Sequence, residues 1–388
     1  MDDREVLSSR IERSLADIGR AMRFLDEMPN DRFLAGIRTR FDTDFTKQQK
    51  DSLSLLDVVR GGKRMQDCWD AFIVLDANVR PLLEEFVSLL QGTIVRRAGL
   101  DEGICDIADA MLEYLCRLAD VGWRRFTVLG SDYLTERTGV VRVRFPSATI
   151  WDLPFLAHEF AHVIEHDIRA DDDDGTRFDV LTRYLSESTA SAQQQAFLRE
   201  HYADVLATYA VGPMFGWAVI CQQFDPVGAL DREGDLETHP STAKRVHVIL
   251  RTIESMDWGQ PTVPKYRDCH DQMTLLWSSM LAAGGKRRGL PVRTVSQLDR
   301  HQTGLFRIVD ENLPVLRYSG WDRARALAEY VAANGSPMVP DPTVTIIDAL
   351  NAAWIARVAQ AEMDAFALRR MGVKFEKICQ HIVVKGGR

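Results

Sequence analysis

The sequence predicts a mainly α-helical protein with a small β-sheet, an α+β fold. Three observations carry this expectation. Apolar residues recur at helical spacing through most of the 388 residues. Only two short runs, RRFTVLG (124–130) and VVRVRF (140–145), are β-branched or aromatic enough to read as strands. Hydrophobic residues make up 46% and charged residues 27%, the balance of a soluble globular chain with a sizeable core.

Taken in order, residues 1–122 form a helical N-terminal region. Val6, Ile11, Leu15, Ile18, Met22 and Leu25 make one apolar stripe. Asp101 is placed to cap a helix that buries Ile104, Ile107, Met111, Leu115 and Leu118. VVRVRF alternates as a half-exposed strand does. Pro154 suits the first turn of the next helix. That helix should end near Arg169, because the DDDDG run that follows (171–175) opposes a helix C-terminus electrostatically. The run reads as a solvated loop, with a calcium site as the alternative. A second helical tract covers about 177–210 and is interrupted near SESTAS (186–191). A loop rich in Asp, Gly and Glu (225–238) leads to the amphipathic helix of HPSTAKRVHVILRTIESM (239–256). Residues 270–334 read as further helices, GSPMVPDPT (335–343) as a break, and 344–370 as one last helix. The expected division is a helical N-terminal region (1–122), a core (123–260) and a helical C-terminal region (261–388).

Charge and composition exclude several functions. The net charge is −8, which gives no general attraction to nucleic acid, and KRRG (286–289) is one short basic cluster that reads as a solvated turn. Residues 205–224 are uncharged and long enough to span a bilayer. Gly212-Pro213 breaks the run and Gln222 and Gln223 close it, so a buried helix pair is expected, with no membrane partner. The start, MDDREVLSSRIERSL, lacks the apolar stretch of a signal peptide. Six scattered cysteines without a CxxC pair read as reduced thiols in a cytoplasmic protein.

The stretch with chemistry is LAHEFAHVIEH (156–166). His158-Glu159-Phe160-Ala161-His162 is HExxH. Four residues apart on a helix, His158 and His162 share a face and can share one metal ion, with Glu159 beside them to take a proton from water. Leu156, Ala157, Phe160, Ala161, Val163 and Ile164 mark the helix as mostly buried, and buried polar groups need partners. A core helix with satisfied histidines is the alternative reading.

A third ligand has to come from elsewhere. On a continuous helix His166 lies about 12 Å along the axis from His158, too far to share an ion. Glu165 and Asp167 meet the same objection. Glu200 is the better candidate. In LREHYADVLATYAVGP (198–213), Glu200 and Asp204 are four apart and share a helical face. Glu200 would bind metal, and Asp204 would accept the second ring N–H of a ligand histidine, His158 first. Ala203 and Ala207 would allow close helix approach. Glu187 and His201 are weaker alternatives.

HEFAH followed 38 residues later by EHYAD resembles the HExxH…ExxxD pattern of gluzincins, the thermolysin-like zinc metallopeptidases. With GP at 212–213 and THPSTAKR at 238–245, the pattern is also similar to a group of prokaryotic HExxH proteins. The resemblance covers roughly residues 140–250 and implies a zincin-like catalytic core embedded in helical flanks. It implies Zn2+ on His158, His162 and Glu200, Glu159 as general base, and Asp204 orienting a ligand histidine. By order along the chain it implies that His239 donates to the oxyanion; an N-terminal capping role is the alternative. Arg245 would hold a substrate carbonyl or carboxylate, or pair with Asp204. Tyr202 and Tyr209 are further possible oxyanion donors.

The expected activity is zinc-dependent hydrolysis of peptide bonds in a peptide or protein substrate, with VVRVRF available as an edge strand for it. A zinc amidase acting on a small molecule, or a non-enzymatic zinc-containing regulatory or binding protein, is the alternative. The intact Glu159 favours an enzyme.

Overall fold

Helix-spaced apolar stripes organise almost every part of the chain. The computed structural model describes residues 2–27, 35–121, 127–130, 141–144, 149–171, 177–228, 239–258, 265–285, 289–334, 341–360 and 364–386. They are mostly helical, with two small two-stranded sheets. The described residues group into two compact units. One holds residues up to Asp101 with 127–130 and 141–142; the other holds 102–121 and the described residues from Val143 onward.

In the first unit, helices α1 (Asp3–Glu27), α2 (Ala35–Arg60) and α3 (Met65–Arg97) pack on one another. Ile11, Ile18 and Leu25 of the expected stripe are buried, and Leu15 and Met22 pack partly against the same core. Leu7 is buried where Val6 was expected, because a four-residue step to Ile11 keeps the face and a five-residue step leaves it. Phe41, Phe45 and Phe86 close this core with ring centroids 5.2–5.6 Å apart. Strand β1 (Thr127–Gly130) lies on α3 at Gly92, where a Cβ would meet the Leu129 carbonyl oxygen at 2.3 Å. It pairs with β2 (Val141–Arg144).

The second unit begins with α4 (Ile104–Leu118), which buries Ile104, Ile107, Met111 and Leu115 as expected. Its N-cap is Gly103, not Asp101. Glu102 and Gly103 both take left-handed φ (52° and 82°), and this turn leaves Asp101 upstream of the cap. Pro154 immediately precedes α5 (Phe155–Ile164). That helix stops five residues before the expected Arg169. Ile168 is buried, and the chain enters a strand at Arg169. Strands β3 (Arg169–Asp171) and β4 (Arg177–Asp179) pair antiparallel, Arg169 opposite Asp179 and Asp171 opposite Arg177. The rest of the aspartate run lies outside the described residues.

Helix α6 (Val180–Ser188) and helix α7 (Ala192–Val211) are separated within SESTAS, as expected. Thr189 is extended, and the Ser191 side chain caps α7 by accepting from the Gln194 amide. Residues 205–224 do not form one span. Gly212 ends α7, α8 (Pro213–Ala218) follows, and Val219–Gln223 close in a π-turn. Among the described residues no helix is long and apolar enough to cross a membrane. Next come α9 (Thr242–Met256), α10 (Arg267–Ala283), α11 (Val292–Asn312) and α12 (Trp321–Asn334). The N-cap of α9 is Ser241, so His239 does not hold the capping position that was its alternative. The basic residues of KRRG lie outside the described residues. The single helix expected over 344–370 is two, α13 (Ile346–Val358) and α14 (Ala365–Gly386). Thr345 and Asp348 form a capping box on α13, and Asp364 accepts from the Ala367 amide to start α14 afresh.

Helix α7 packs on α5, α8, α9 and α11. Its C-terminal end depends on Gly212, with φ 73° and ψ −158°, a conformation open essentially to glycine alone. A Cβ there would also lie 2.3 Å from the Tyr318 ring. Gly212→Ala should therefore cost at least about 2 kcal/mol of stability in urea unfolding. A change below about 0.5 kcal/mol would contradict the packing described.

Candidate metal centre

Helix α5 presents His158 and His162 on one face, four residues apart, and buries Phe155, Leu156, Phe160 and Ile164 on the others. Opposite stands α7, whose small Ala203 and Ala207 are buried and allow the close approach. Glu200 comes from α7 at the same level. The three ligand atoms converge. His158 Nε2 and His162 Nε2 are 3.2 Å apart. Glu200 Oε2 is 3.4 Å from His158 Nε2, and Oε1 is 3.4 Å from His162 Nε2. A metal ion about 2.0–2.1 Å from each of three tetrahedrally placed atoms sets them about 3.3–3.4 Å apart. The two Glu200 distances end on different oxygens; with one ligand atom per residue, the three atoms lie within 4.8 Å of one another, close enough to share one ion.

The hydrogen bonding orients the two histidines. His158 Nδ1 lies 3.1 Å from Asp204 Oδ1, so the ring proton belongs on Nδ1 and the Nε2 lone pair faces the triangle. Arg245 Nη2 also comes within 3.4 Å of Nδ1, but it donates to Asp204 Oδ1 at 2.6 Å, and the shared oxygen explains the approach. Glu200 Oε2 is buried and faces His158 Nε2 at 3.4 Å and His239 Nε2 at 3.5 Å. Between atoms facing one another at such distances a proton or a metal ion has to lie. These residues fit a metal ion, and His158, His162 and Glu200 could hold it.

The titration behaviour has the same origin. Burial favours neutral His158, but hydrogen bonds to Asp204 and Glu200 outweigh it and raise the pKa. Burial likewise opposes charging of His162, while Glu165, Glu200 and Glu159 push it up to about 10. Burial would raise Glu200, yet the two imidazoles hold its carboxyl well below the usual carboxylate range. The negative potential that favours imidazolium favours a bound cation in its place.

Asp204 is fully buried and is clamped by Arg245, whose Nε and Nη2 donate to its two oxygens at 2.8 and 2.6 Å. Arg245 is only 7% exposed, and its guanidinium lies 5.2 Å from the Phe224 ring centroid. Its Nη1 is 3.9 Å from Glu200 Oε2. Of the two positions expected for Arg245, the structure has the pairing with Asp204. His239, just before the cap of α9, is 60% exposed and places Nε2 3.5 Å from Glu200 Oε2. Glu159 is half-buried beside the triangle, and its charge acts on both His162 and Arg245.

The other sequence candidates fall elsewhere. His166 is exposed, between Glu165 Oε1 (3.2 Å) and Asp179 Oδ2 (2.9 Å). The helix ends before it, so its distance from the triangle comes from the turn rather than from a continuous helix. Glu187 pairs with Arg183 at the surface. His201 is buried, with its pKa lowered to about 4, by burial first and then by Arg245, His301 and Lys244 against the pull of Asp204. Tyr209 donates to Asp310 at 2.8 Å, and the buried Tyr202 hydroxyl has no hydrogen-bond partner.

Three contributors were not foreseen. Glu165 Oε2 lies 3.8 Å from His162 Nδ1, and Glu165 Oε1 accepts from Arg199 at 2.6 Å. Each of the two histidines therefore has beside it a carboxylate that an arginine holds. The available signal was the i,i+3 step from His162 to Glu165 and the adjacency of Arg199 to Glu200. Phe215 of α8 stacks on His158, ring centroids 6.1 Å apart at 12°. No protein-family model, curated protein or solved structure matches the chain.

Removing one partner of the Asp204–Arg245 pair should cost about 3–5 kcal/mol, because the other charge stays buried and unpaired. Burial raises the Asp204 carboxyl, but Arg245 and then His158 hold it at about 2, below the unfolded value of about 3.9. The stabilisation is therefore complete above about pH 4 and is lost as pH falls toward 2. Arg245→Met should be much less stable than wild type at pH 6, and the gap should narrow below pH 4 in denaturant titrations. A gap that does not change with pH would remove Asp204 as its source.

Proposed function

We propose that the chain is a zinc-dependent metallopeptidase of the gluzincin type, hydrolysing peptide bonds of a peptide or protein substrate. The carrying observation is the triangle of His158 Nε2, His162 Nε2 and the Glu200 carboxylate at 3.2–3.4 Å, with Glu159 on the same helix. Two imidazole nitrogens and one carboxylate oxygen suit zinc and leave a fourth position open, as catalytic zinc sites do. In this reading α5 and α7 are the two helices of a zincin-like core. Six free thiols, five of them buried, accord with a cytoplasmic setting.

Zinc, when bound, supplies a Lewis acid that polarises the scissile carbonyl and acidifies water. The chain supplies the rest. Glu159 takes the proton of the attacking water and passes it to the leaving amine nitrogen, so one carboxylate serves as base and then as acid. His239, exposed at the rim and within 3.5 Å of Glu200, donates to the oxyanion as the carbonyl becomes tetrahedral. Asp204 fixes the His158 tautomer with Nε2 free, and the Glu165 carboxylate, 3.8 Å from His162 Nδ1, acts on that ring through its charge. Arg245 neutralises Asp204 and keeps it ionised, so it works as a positioning residue through Asp204.

The test is cleavage of a mixed peptide library by zinc-loaded protein, with Glu159→Gln as the comparison. Wild type should cleave, and the variant should be slower by at least about 10²-fold with its zinc content unchanged. Cleavage by the variant at the wild-type rate would remove Glu159 as the base, and no cleavage by either would remove the peptidase reading.

A further inference from the structure

The short helix α8 that lays Phe215 on His158 turns Trp217 into a different cavity, a cleft of about 970 Å3. That size lies at the upper end of the roughly 300–1,000 Å3 typical of small-molecule sites. Its walls come from α8, the π-turn, α10, α12, α13 and α14, and none of the metal-centre residues lines it. Trp217, Leu276, Trp321, Trp354 and Ile355 make most of it apolar. Leu275, also on the lining, is 73% exposed, a large apolar side chain left facing solvent at the mouth.

One cation on the cleft wall meets its nearby acid, Asp152, only through the Gln222 amide. Arg357 stacks on two indoles, its guanidinium 4.5 Å from the Trp354 ring centroid and 5.0 Å from that of Trp151. With the Gln222 amide turned so that its oxygen faces Arg357, Nη1 donates to that oxygen at 2.8 Å. No carboxylate among the described residues comes within salt-bridge distance of Arg357. Burial lowers its pKa more than the charge of the nearby Asp152 carboxylate raises it. Arg325 and Asp268 are the other charged lining residues, so the lining carries one positive charge in excess.

We propose that this cleft binds an amphiphilic monoanion, an apolar chain ending in a carboxylate, with the carboxylate on Arg357 and the chain along Trp217, Leu276 and Trp321. A guanidinium fixed by stacking presents its remaining N–H groups as a planar fork, the geometry a carboxylate fills. One excess positive charge matches one negative head, and Asp268 disfavours a dianion. The apolar walls match a chain rather than a sugar or a nucleotide, which would leave polar groups unpaired. This inference is independent of the metallopeptidase reading.

The tryptophans provide the readout. Full-length protein is titrated below the micelle threshold with 12-bromododecanoate, whose bromine quenches indole fluorescence on contact. 1-Dodecanol and dodecyltrimethylammonium then compete for the site. The expected result is saturable quenching, at least about tenfold stronger binding of the carboxylate than of either competitor, and loss of that preference in Arg357→Met. Because the head-group comparison is made on wild type, it does not depend on the variant folding. No saturable quenching, equal affinity for the three heads, or a preference that survives in folded Arg357→Met would each overturn the proposal.

Discussion

One buried charge governs the centre of this protein. Asp204 lies on α7 with no exposure to solvent, between the guanidinium of Arg245 on α9 and the Nδ1 of His158 on α5. An ionised carboxylate in such a place is tolerable only with a full set of donors. Meeting that requirement ties three helices to one another at fixed register. The same set of bonds points His158 Nε2 at Glu200 and His162. The convergence that could hold a metal is thus a consequence of how the fold satisfies Asp204.

A second tie has the same form with weaker burial. Glu165 accepts from Arg199 and faces His162, so the helix end and the following turn are fixed by the residue next to Glu200. Aromatic contacts complete the enclosure: Phe215 lies on His158 and Phe224 on Arg245. Both belong to the segment of α8 and its π-turn, which also carries Trp217 to the second cleft and Gln222 against Arg357. A π-turn inserts an extra residue per turn and commonly re-aims side chains at functional sites. Here it lets one stretch of about a dozen residues serve two separate places.

Much of the site was legible because helical periodicity is local. The four-residue steps from His158 to His162 and from Glu200 to Asp204 place each pair on one face without knowledge of the tertiary fold. Pairing the two helices required only that both be buried and one be lined with alanines. The mainly helical class and the break at SESTAS were legible for the same reason. What escaped depends on contacts distant in sequence. The pairing of β3 with β4 replaces the expected helix end, with Arg169 opposite Asp179. The last helix divides at Asp364, a capping residue hidden in a pattern that otherwise continues. The tryptophans of the second cleft are spread over more than a hundred residues, and only the packing of five helices assembles them.

The most direct test of the account is elemental analysis of wild type, His158→Ala, Glu200→Ala and Glu187→Ala, purified without added metal and then reloaded with zinc. The account predicts about one zinc per chain in wild type and in Glu187→Ala, and strong loss in the other two variants. Zinc retained at the wild-type level in Glu200→Ala would contradict the His158–His162–Glu200 centre. No zinc in wild type after reloading would contradict a metal centre altogether.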